Sequence, residues 1–578
     1  MGIRSGAGPF STGNPGADFL LGIPDEYTQG SGAIIRARGR EYYSYAQDQW
    51  QVRPNLTLTL GAGWDIETPF KNLYANGEIL GGFNPGQQST VFPTAPEGLV
   101  FPGDKGVGPY GLARVHYGDV GPRLGFAWSP GSSSKWSVRG GVGLYFNRSS
   151  SEATLQTLTN APFAITASGV SQIGASPALA NPYASVNPSA VAGNPSGSVT
   201  NPFPFSPPSP GASVNFAQFE PIGSGEVFYS SHLTVPRSTN FNLNVQYQVS
   251  KSTVATIAYV GSIGRHLEGA YMLNPAGTAT GNALAVSENP AAVANGTLND
   301  FTLNTLAANT YQYNPSIFGG IGVYASGWNS NYNALQAQIN RHFTNGLQFQ
   351  AAYTWSRYFD YTSSLENNAF NNPGFNAFNF SRNYGPSAND GPQRLVVNYN
   401  YTLPFYKYGH HLRPLTDGWN LSGIGTFQHG FPVGVFQTNF NELQANPQFS
   451  FFADPDFVNA TGAPLNINHN PRNSPTQQWV NPAAFAVPAL GAQGTANRNP
   501  FYGPGLNFWD MALEKDLHFT ETLYFQLRLE TFNTFNHANF GPPVNDLSAP
   551  SFGQINSVQQ ISTLGAGRVV QLGCKFYF

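Results

Sequence analysis

The sequence has 578 residues, of which only 10% are charged whereas 14% are aromatic. Soluble proteins carry about 25% charged residues, and a net charge of −3 without basic clusters argues against a nucleic-acid partner. The single cysteine, Cys574, excludes internal disulfide bonds and paired-cysteine sites for metal or redox chemistry. No apolar run approaches the ~18 residues of a membrane-spanning helix.

Apolar and polar residues alternate with the two-residue period of a β-strand along most of the chain. In chain order, the predicted strands cover 42–52, 56–65, 124–128, 136–146, 241–249, 253–258, 335–343, 347–355, 395–403, 419–427, 507–518, 523–535 and 567–578. These are thirteen strands, and a fourteenth is expected before Tyr42. Both faces of the strand that passes through Ala258 are apolar, so its two faces stay unassigned.

The alternation predicts one lipid-facing and one lumen-facing set of side chains, as in a transmembrane β-barrel. Leu58, Leu144, Phe349 and Leu527 belong to the predicted lipid-facing set. The predicted lumen-facing candidates are Arg139, Gln350, Arg357, Arg528 and Glu530. Mutual pairing and contact with a plug are the simpler roles for these charges, and guidance of a substrate is the alternative.

Connections of two kinds join the predicted strands. Short turns near residues 54, 131, 251, 345 and 520, with a medium one near 410, alternate with connections of roughly 30 to 90 residues. Asn345-Gly346 is the strongest of the hairpin signals. Trp128 and Trp136 flank one short turn, as an interfacial aromatic girdle requires. This pattern predicts an all-β, antiparallel, up-and-down transmembrane barrel with short periplasmic turns and long extracellular loops.

The last strand ends on alternating apolar and aromatic residues. Val570, Leu572, Phe576 and Phe578 share one face, together with Cys574. This ending resembles the C-terminal signal by which outer-membrane β-barrel proteins are recognised for assembly. The resemblance implies the barrel-assembly machinery as a partner, outer-membrane lipid as the surroundings, and the outer membrane as the location.

Several segments together resemble TonB-dependent outer-membrane receptors, and the Oar-like subgroup in particular. They are 45–50 (YAQDQW), 56–61 (LTLTLG), 418–424 (GWNLSGI), 527–533 (LRLETFN) and 535–541 (FNHANFG). The resemblance implies an energy-coupled transporter, not an enzyme, that imports a nutrient and binds no cofactor. The long, neutral connections with aromatic and Asn residues favour an oligosaccharide or a peptide over a strongly charged ligand. Such receptors have 22 strands around a plug. The predicted strands would therefore be part of a larger barrel.

The front of the sequence departs from that family. Residues after Met1 lack the basic and apolar segments of a signal peptide, and nothing resembles a TonB box, a plug or a regulatory-like domain. We therefore expect residues 1–578 to be the C-terminal barrel part of a longer receptor, which would contact the TonB complex only through the missing parts. Open alternatives are a passive pore or surface adhesin and, less favoured, a secreted polysaccharide-acting β-protein.

Motifs that carry chemistry are scarce. Gly103-Asp104-Lys105-Gly106 lacks the Ser or Thr that follows the lysine of a phosphate-binding loop, which favours a turn. No further metal ligand is identifiable for His410-His411. Asp454-Pro455-Asp456 could suggest a calcium site, but its sequence favours a turn. The sequence therefore predicts no catalytic, cofactor or metal residues.

Overall fold

A computed structural model describes the chain in separate stretches. The described residues are 2–4, 14–22, 26–30, 36–72, 81–131, 135–148, 161–164, 166–170, 205–216, 227–231, 233–272, 322–361, 363, 380–407, 413–437, 456–465, 477–488, 494–520, 523–559 and 565–578.

One large antiparallel sheet organises the molecule, and its thirteen principal strands follow one another in chain order. They are β1 (Ala37–Arg53), β2 (Leu56–Asn72), β3 (His116–Trp128), β4 (Trp136–Phe146), β5 (Arg237–Ser250), β6 (Thr253–Met272), β7 (Gly322–Thr344), β8 (Leu347–Asp360), β9 (Gln393–Thr402), β10 (Trp419–Gln428), β11 (Leu506–His518), β12 (Tyr524–Phe532) and β13 (Val569–Tyr577). β1 and β13 are the two ends of this path. The fold prediction is thus confirmed as all-β and antiparallel, and among the described residues no fourteenth strand precedes β1 in the sheet.

Shorter elements decorate the sheet. A separate three-stranded sheet is formed by Gly2–Arg4, Glu26–Gly30 and Thr166–Val170, while Val227–Tyr229 pairs with β7 and Gly385–Pro386 pairs with β8. Four further two-stranded sheets are formed by Gly82–Phe83 with Leu99–Val100, Pro432–Val433 with Phe501–Tyr502, Phe436–Gln437 with Asp456–Phe457, and Asn459–Ala460 with Phe485–Ala486. The remaining short strand is Pro109–Leu112. The helices are Pro15–Leu21 and Arg413–Thr416, and the 3-10 turns are Phe380–Asn383, Pro404–Lys407 and Pro482–Ala484. Within the described stretches, no helix is long and apolar enough to cross a bilayer.

The strand register keeps the predicted lipid-facing residues on one face of the sheet and the predicted lumen-facing residues, except Arg357, on the other. Leu58 is opposite Phe126 between β2 and β3, and Leu527 is opposite Cys574 between β12 and β13. We call the face that carries these residues the apolar face and the other the polar face. Asn345 and Gly346 both have positive φ, at 53° and 80°, so the predicted hairpin turn between β7 and β8 is confirmed.

The register also shows which side chains of β6 belong to each face of the sheet, which the sequence of β6 alone does not reveal. Phe241 of β5 is opposite Gly261 and Leu243 is opposite Tyr259, which places Tyr259 and Ile257 on the apolar face. Gln336 and Gln338 of β7 are opposite Ala258 and Thr256, on the polar face.

Tryptophans on the apolar face form two bands at opposite ends of the strands. Trp128 ends β3 and Trp136 begins β4, both at the short turn, and the ring of Trp136 lies 4.4 Å from that of Tyr247. Trp64 and Trp509 lie toward the long connections, where Trp64 is opposite Val120 and Trp509 is opposite Gly425. Indole rings with one polar edge prefer the membrane–water interface. The two bands therefore mark two depths with an aliphatic zone between them.

Aromatic rings cover glycines at several points of the sheet. A Cβ added to Gly261 would lie 2.1 Å from the ring of Phe241, and one added to Gly63 would lie 2.5 Å from the hydroxyl of Tyr43. The same relation holds for Trp509 over Gly425 on the apolar face. Each ring thus occupies the space that a side chain on the neighbouring strand would need.

The connections on the long-loop side have their own cores. Phe92, Phe101, Phe163 and Phe216 pack against one another by their edges or at a tilt, and Phe228 and Trp328 complete the cluster beside β7. A second core gathers Val458, Val480, Phe485, Phe501 and Phe552 from the loops before β11 and β13. The long connections therefore bury apolar surface of their own.

Asp104 anchors the first of these loop structures. Its Oδ1 accepts hydrogen bonds from the amide and hydroxyl of Thr90, at 2.6 and 2.8 Å, and Oδ2 accepts from Ser89 Oγ at 2.7 Å and the Phe101 amide at 2.8 Å. Gly103 and Gly106 both adopt positive φ. The segment 103–106 is thus the loop turn that the sequence favoured over a phosphate site.

Substitution of Asp104 should loosen this loop. Burial alone would raise the pKa of Asp104, but hydrogen bonds from Ser89, Phe101 and Thr90 outweigh it and lower the pKa below its usual value. A lowered folded-state pKa gives stability that is present above the unfolded pKa and is lost as the pH falls through the folded value. We expect Asp104→Asn to cost about 1–3 kcal/mol, because donors lose their acceptor. Faster hydrogen exchange of the Phe101 amide would measure it.

The control for this prediction is Lys105→Gln, which changes an exposed neighbour in the same turn. Equal exchange rates in the two variants, or a protection of the Phe101 amide against exchange that does not fall in acid in the unchanged protein, would contradict the anchoring role of Asp104.

Candidate functional site

Two rows of side chains on the polar face of β8–β12 outline a cleft of about 510 Å³. The register aligns Gln348, Asn400, Ser422, Ala512 and Glu530 in the first row, one residue from each strand. Asn398, Ile424 and Asp510 form the adjacent row, Gln350 stands beside the cleft opposite Asn398, and Phe532 of β12 also lines the cleft. We call this feature the cleft. Its side chains are amides at the β8–β9 end and carboxylates at the β11–β12 end.

The acidic end of the cleft contains one arginine shared by two glutamates. Arg528 Nη2 lies 2.7 Å from Glu530 Oε1 and 3.0 Å from Glu514 Oε1. Asp510 adds a third carboxylate, whose Oδ1 accepts the Asn533 amide at 2.9 Å. Two carboxylates share this guanidinium, and Asp510 adds a third carboxylate at the same end of the cleft, so this end carries net negative charge.

Hydrogen bonds orient the neutral end. Asn398 Nδ2 donates to Gln350 Oε1 at 3.0 Å. A side-chain amide offers both a donor and an acceptor, so Gln348 and Asn400 can pair with either kind of group on a ligand.

A third polar group lies closer to the short turns. Gln526 Nε2 donates to Asp516 Oδ1 at 2.9 Å, and Asn420 Nδ2 donates to Asp516 Oδ2 at 3.4 Å. Thr402 Oγ1 in turn donates to Asn420 Oδ1 at 2.8 Å. These bonds link β9 to β12 across the polar face, on the short-turn side of the cleft.

The structure brings three of the four principal lumen candidates together. Arg528, Glu530 and Gln350 lie in or beside the cleft, although 180 residues separate Gln350 from Glu530. Arg139 lies elsewhere on the polar face, where it is opposite Ala127 of β3 and Asn244 of β5. Sequence alternation predicted the shared face, but it could not predict which strands would be neighbours of the acidic pair.

The prediction for Arg357 was wrong. This residue follows Trp355 by two positions and is opposite Asn333, while Trp355 is opposite Leu335, so Arg357 has the parity of the apolar face. It lies near the long-loop end of β8, where Nη1 contacts Asp390 Oδ2 at 3.2 Å and the Tyr502 hydroxyl at 2.6 Å. Loop partners, not the lumen, satisfy its charge.

Tyr502 completes this loop contact. Its hydroxyl donates to Asp390 Oδ2 at 2.7 Å. Burial, followed by the hydrogen bond to Asp390 and the charge of that carboxylate, raises the pKa of Tyr502 to about 12. The phenol therefore stays protonated at neutral pH and keeps its donor role.

Arg498 is a residue that sequence reasoning did not single out. Its side chain is 6% exposed and that of Asp360 is 3% exposed, and Arg498 Nη1 lies 2.5 Å from Asp360 Oδ1. The same guanidinium donates to the carbonyl of Asn383 at 3.2 Å and to Ser363 Oγ at 2.6 Å. It joins the loop before β11 to the end of β8. No local sequence motif predicts the ion pair between Arg498 and Asp360, which are 138 residues apart.

The remaining sequence candidates add no ligand chemistry. His410-His411 and Asp454-Pro455 lie outside the described residues. Within the described residues, no group of three His, Cys, Asp or Glu side chains is placed to hold a metal ion. On β13, Val570, Leu572 and Phe576 are opposite Thr531, Leu529 and Phe525, on the apolar face.

Comparison with known proteins gives a family and several distant structural neighbours. The family model for an outer membrane beta barrel domain matches residues 2–571. The outer membrane transporter YddB from Escherichia coli is 10% identical over 93% of this chain, with a TM-score of 0.40. The FrpB iron transporter from Neisseria meningitidis is 10% identical over 94% of it, with a TM-score of 0.40. The ferripyoverdine receptor of Pseudomonas aeruginosa is 11% identical over 94%, with a TM-score of 0.37.

This chain covers 44%, 45% and 39% of those three proteins, and so spans less than half the length of each. No curated protein matches it.

Proposed function

The chain belongs to the family of outer membrane β-barrel domains, and from this premise we propose that it is the barrel portion of a TonB-dependent transporter. The outer membrane is its location. The proposal assigns it to the Oar-like subgroup and gives it the energy-coupled uptake of a nutrient, an oligosaccharide or a peptide. TonB would act through parts of the receptor other than this barrel.

The observation that carries the proposal is the two-faced sheet. Thirteen antiparallel strands keep one face apolar and the other polar, and short turns alternate with long connections whose described parts contain two apolar cores. A barrel wall needs this arrangement because lipid and lumen make opposite demands on alternate residues. The sequence segments that resemble TonB-dependent receptors support the finer assignment.

The proposal orients the molecule. The polar face, with Arg139, Gln350, Arg528 and Glu530, lines the lumen, and the apolar face meets lipid. The long connections lie outside the cell and the short turns lie in the periplasm. The cleft of β8–β12 then opens to the substrate path.

An uptake assay in cells tests the transport proposal. The complete protein that contains this chain is produced in a strain that lacks its own copy, and uptake of radiolabelled oligosaccharides and short peptides is measured with and without TonB. Uptake of at least one compound that needs both the protein and TonB is the expected result. Uptake that persists without TonB would overturn the proposal in favour of a passive pore.

We further propose that β13 acts as the assembly signal, through Val570, Leu572, Phe576 and Phe578. Phe576→Ser combined with Phe578→Ser should leave synthesis intact but remove most of the assembled protein, because the assembly machinery loses its aromatic contacts. The heat-modifiable band of folded barrels on gels measures assembly. The matched control is Lys575→Ser with Tyr577→Ser, on the polar face of the same strand. Equal yields from both double variants would contradict the assignment.

A further inference from the structure

The two ends of the cleft differ in charge, and this difference points to a class of ligand. We propose that the cleft binds a short peptide, with a cationic group at the β11–β12 end and peptide amides at the β8–β9 end. The inference rests on the proposed function, since it names the nutrient that the barrel takes up.

The dimensions of the cleft fit a short extended chain. Its first row crosses five neighbouring strands, from Gln348 to Glu530. Strands in a sheet lie about 4.8 Å apart, so the row spans about 19 Å. An extended peptide advances about 3.3–3.6 Å per residue, and roughly five residues cover that distance.

The cleft is deepest in the middle of the row because the side chains there are small. Ser422 and Ala512 stand between the amides and the acids, and both line the cleft. A ligand backbone can therefore approach the sheet at this point, while longer side chains on either side limit its sideways movement.

The acidic end determines the charge of the ligand. Arg528 is already bonded to Glu514 and Glu530, so its charge is compensated within the protein. Asp510 accepts the Asn533 amide through Oδ1, and the residue lines the cleft. A guanidinium or ammonium group that enters here gains charge-assisted hydrogen bonds.

The amide end suits a peptide backbone. Gln348, Asn398 and Asn400 present neutral donors and acceptors, as the peptide group does. A neutral oligosaccharide could use these amides as well, but it would gain nothing from the net negative charge at the other end. The charge therefore favours a basic peptide over a sugar.

Calorimetric titration of the purified complete protein in detergent tests the proposal. The probes are acetylated, amidated pentapeptides of four alanines with one arginine or one glutamate, and maltotriose as the neutral sugar. At low salt the arginine peptide should bind about tenfold or more tightly than the glutamate peptide, and salt should reduce the difference. Equal affinities for the two peptides, or a preference for maltotriose, would overturn the proposal.

Two variants locate the binding. Asp510→Asn keeps the size of the side chain and should weaken the arginine peptide by about five- to tenfold. Ala512→Leu should abolish binding because it fills the middle of the cleft. The matched control, Ala127→Leu, adds the same bulk on the polar face of β3 and should leave the affinity unchanged. The heat-modifiable band on gels verifies that the Ala512→Leu variant is folded. An unchanged affinity of the folded Ala512→Leu variant for the arginine peptide would also overturn the proposal.

The outcomes of this experiment and of the uptake assay are separable. Cleft-dependent binding without TonB-dependent uptake would refute the transport proposal alone. TonB-dependent uptake that Asp510→Asn and Ala512→Leu leave unchanged would refute the cleft inference alone.

Discussion

Arg498→Met should release the loop before β11 from the end of β8 at a cost of about 3–5 kcal/mol, because it leaves the Asp360 carboxylate buried without its partner. Asp360 is 2% exposed, and Ser363 Oγ, at 3.1 Å from both of its oxygens, cannot replace a guanidinium. A cost of this size corresponds to at least a hundredfold change in an opening equilibrium. Hydrogen exchange of the Ser387 and Asp390 amides measures the opening.

The matched comparison is the double variant Arg498→Met with Asp360→Asn. It removes both charges, so its cost should be clearly smaller than that of the single variant. If the double variant opens as readily as Arg498→Met, the uncompensated carboxylate is not the cause. If neither variant changes the exchange, the ion pair does not hold the loop.

Leu60→Arg should destabilise the assembled protein by about 2–4 kcal/mol, since an arginine near the bilayer midplane must leave water. Leu60 is opposite Leu124 on the apolar face, midway along β2 between Leu56, which is opposite Trp128, and Trp64. The adjacent Thr59, opposite Gly125 on the polar face, is the control. Thr59→Arg should cost much less. Reversible urea unfolding in lipid vesicles compares them, and equal costs would contradict the assignment of the two faces.

Sequence alternation predicted the strands and their faces well, because a membrane wall repeats one local rule at every second residue. It failed where both faces of a strand are apolar and where a strand ends in the long connections. The faces of β6 were unreadable because both are apolar, and only its pairing with Phe241 and Leu243 assigned them. Arg357 does not lie on the predicted polar face, because it belongs to the long-loop end of β8, where it has the parity of the apolar face and pairs with Asp390.

The cleft and the loop contacts were beyond sequence reasoning for a different reason. Ser422, Ala512 and Glu530 become neighbours only through the register of three strands, and the register depends on all the pairings between them. Arg498 and Asp360 meet through the folding of two long connections. Such contacts have no period in the sequence, so they can be read only from the assembled structure.

The rings that cover glycines have a consequence for how this sequence can vary. A methyl group at Gly261 would lie 2.1 Å from the ring of Phe241, so neither position can change freely while the other stays. The same constraint joins Gly63 to Tyr43 and Gly425 to Trp509. Among relatives of this chain, a side chain gained at one member of a pair should be accompanied by a smaller residue at the other. Such covarying pairs would report strand register directly, without any structure.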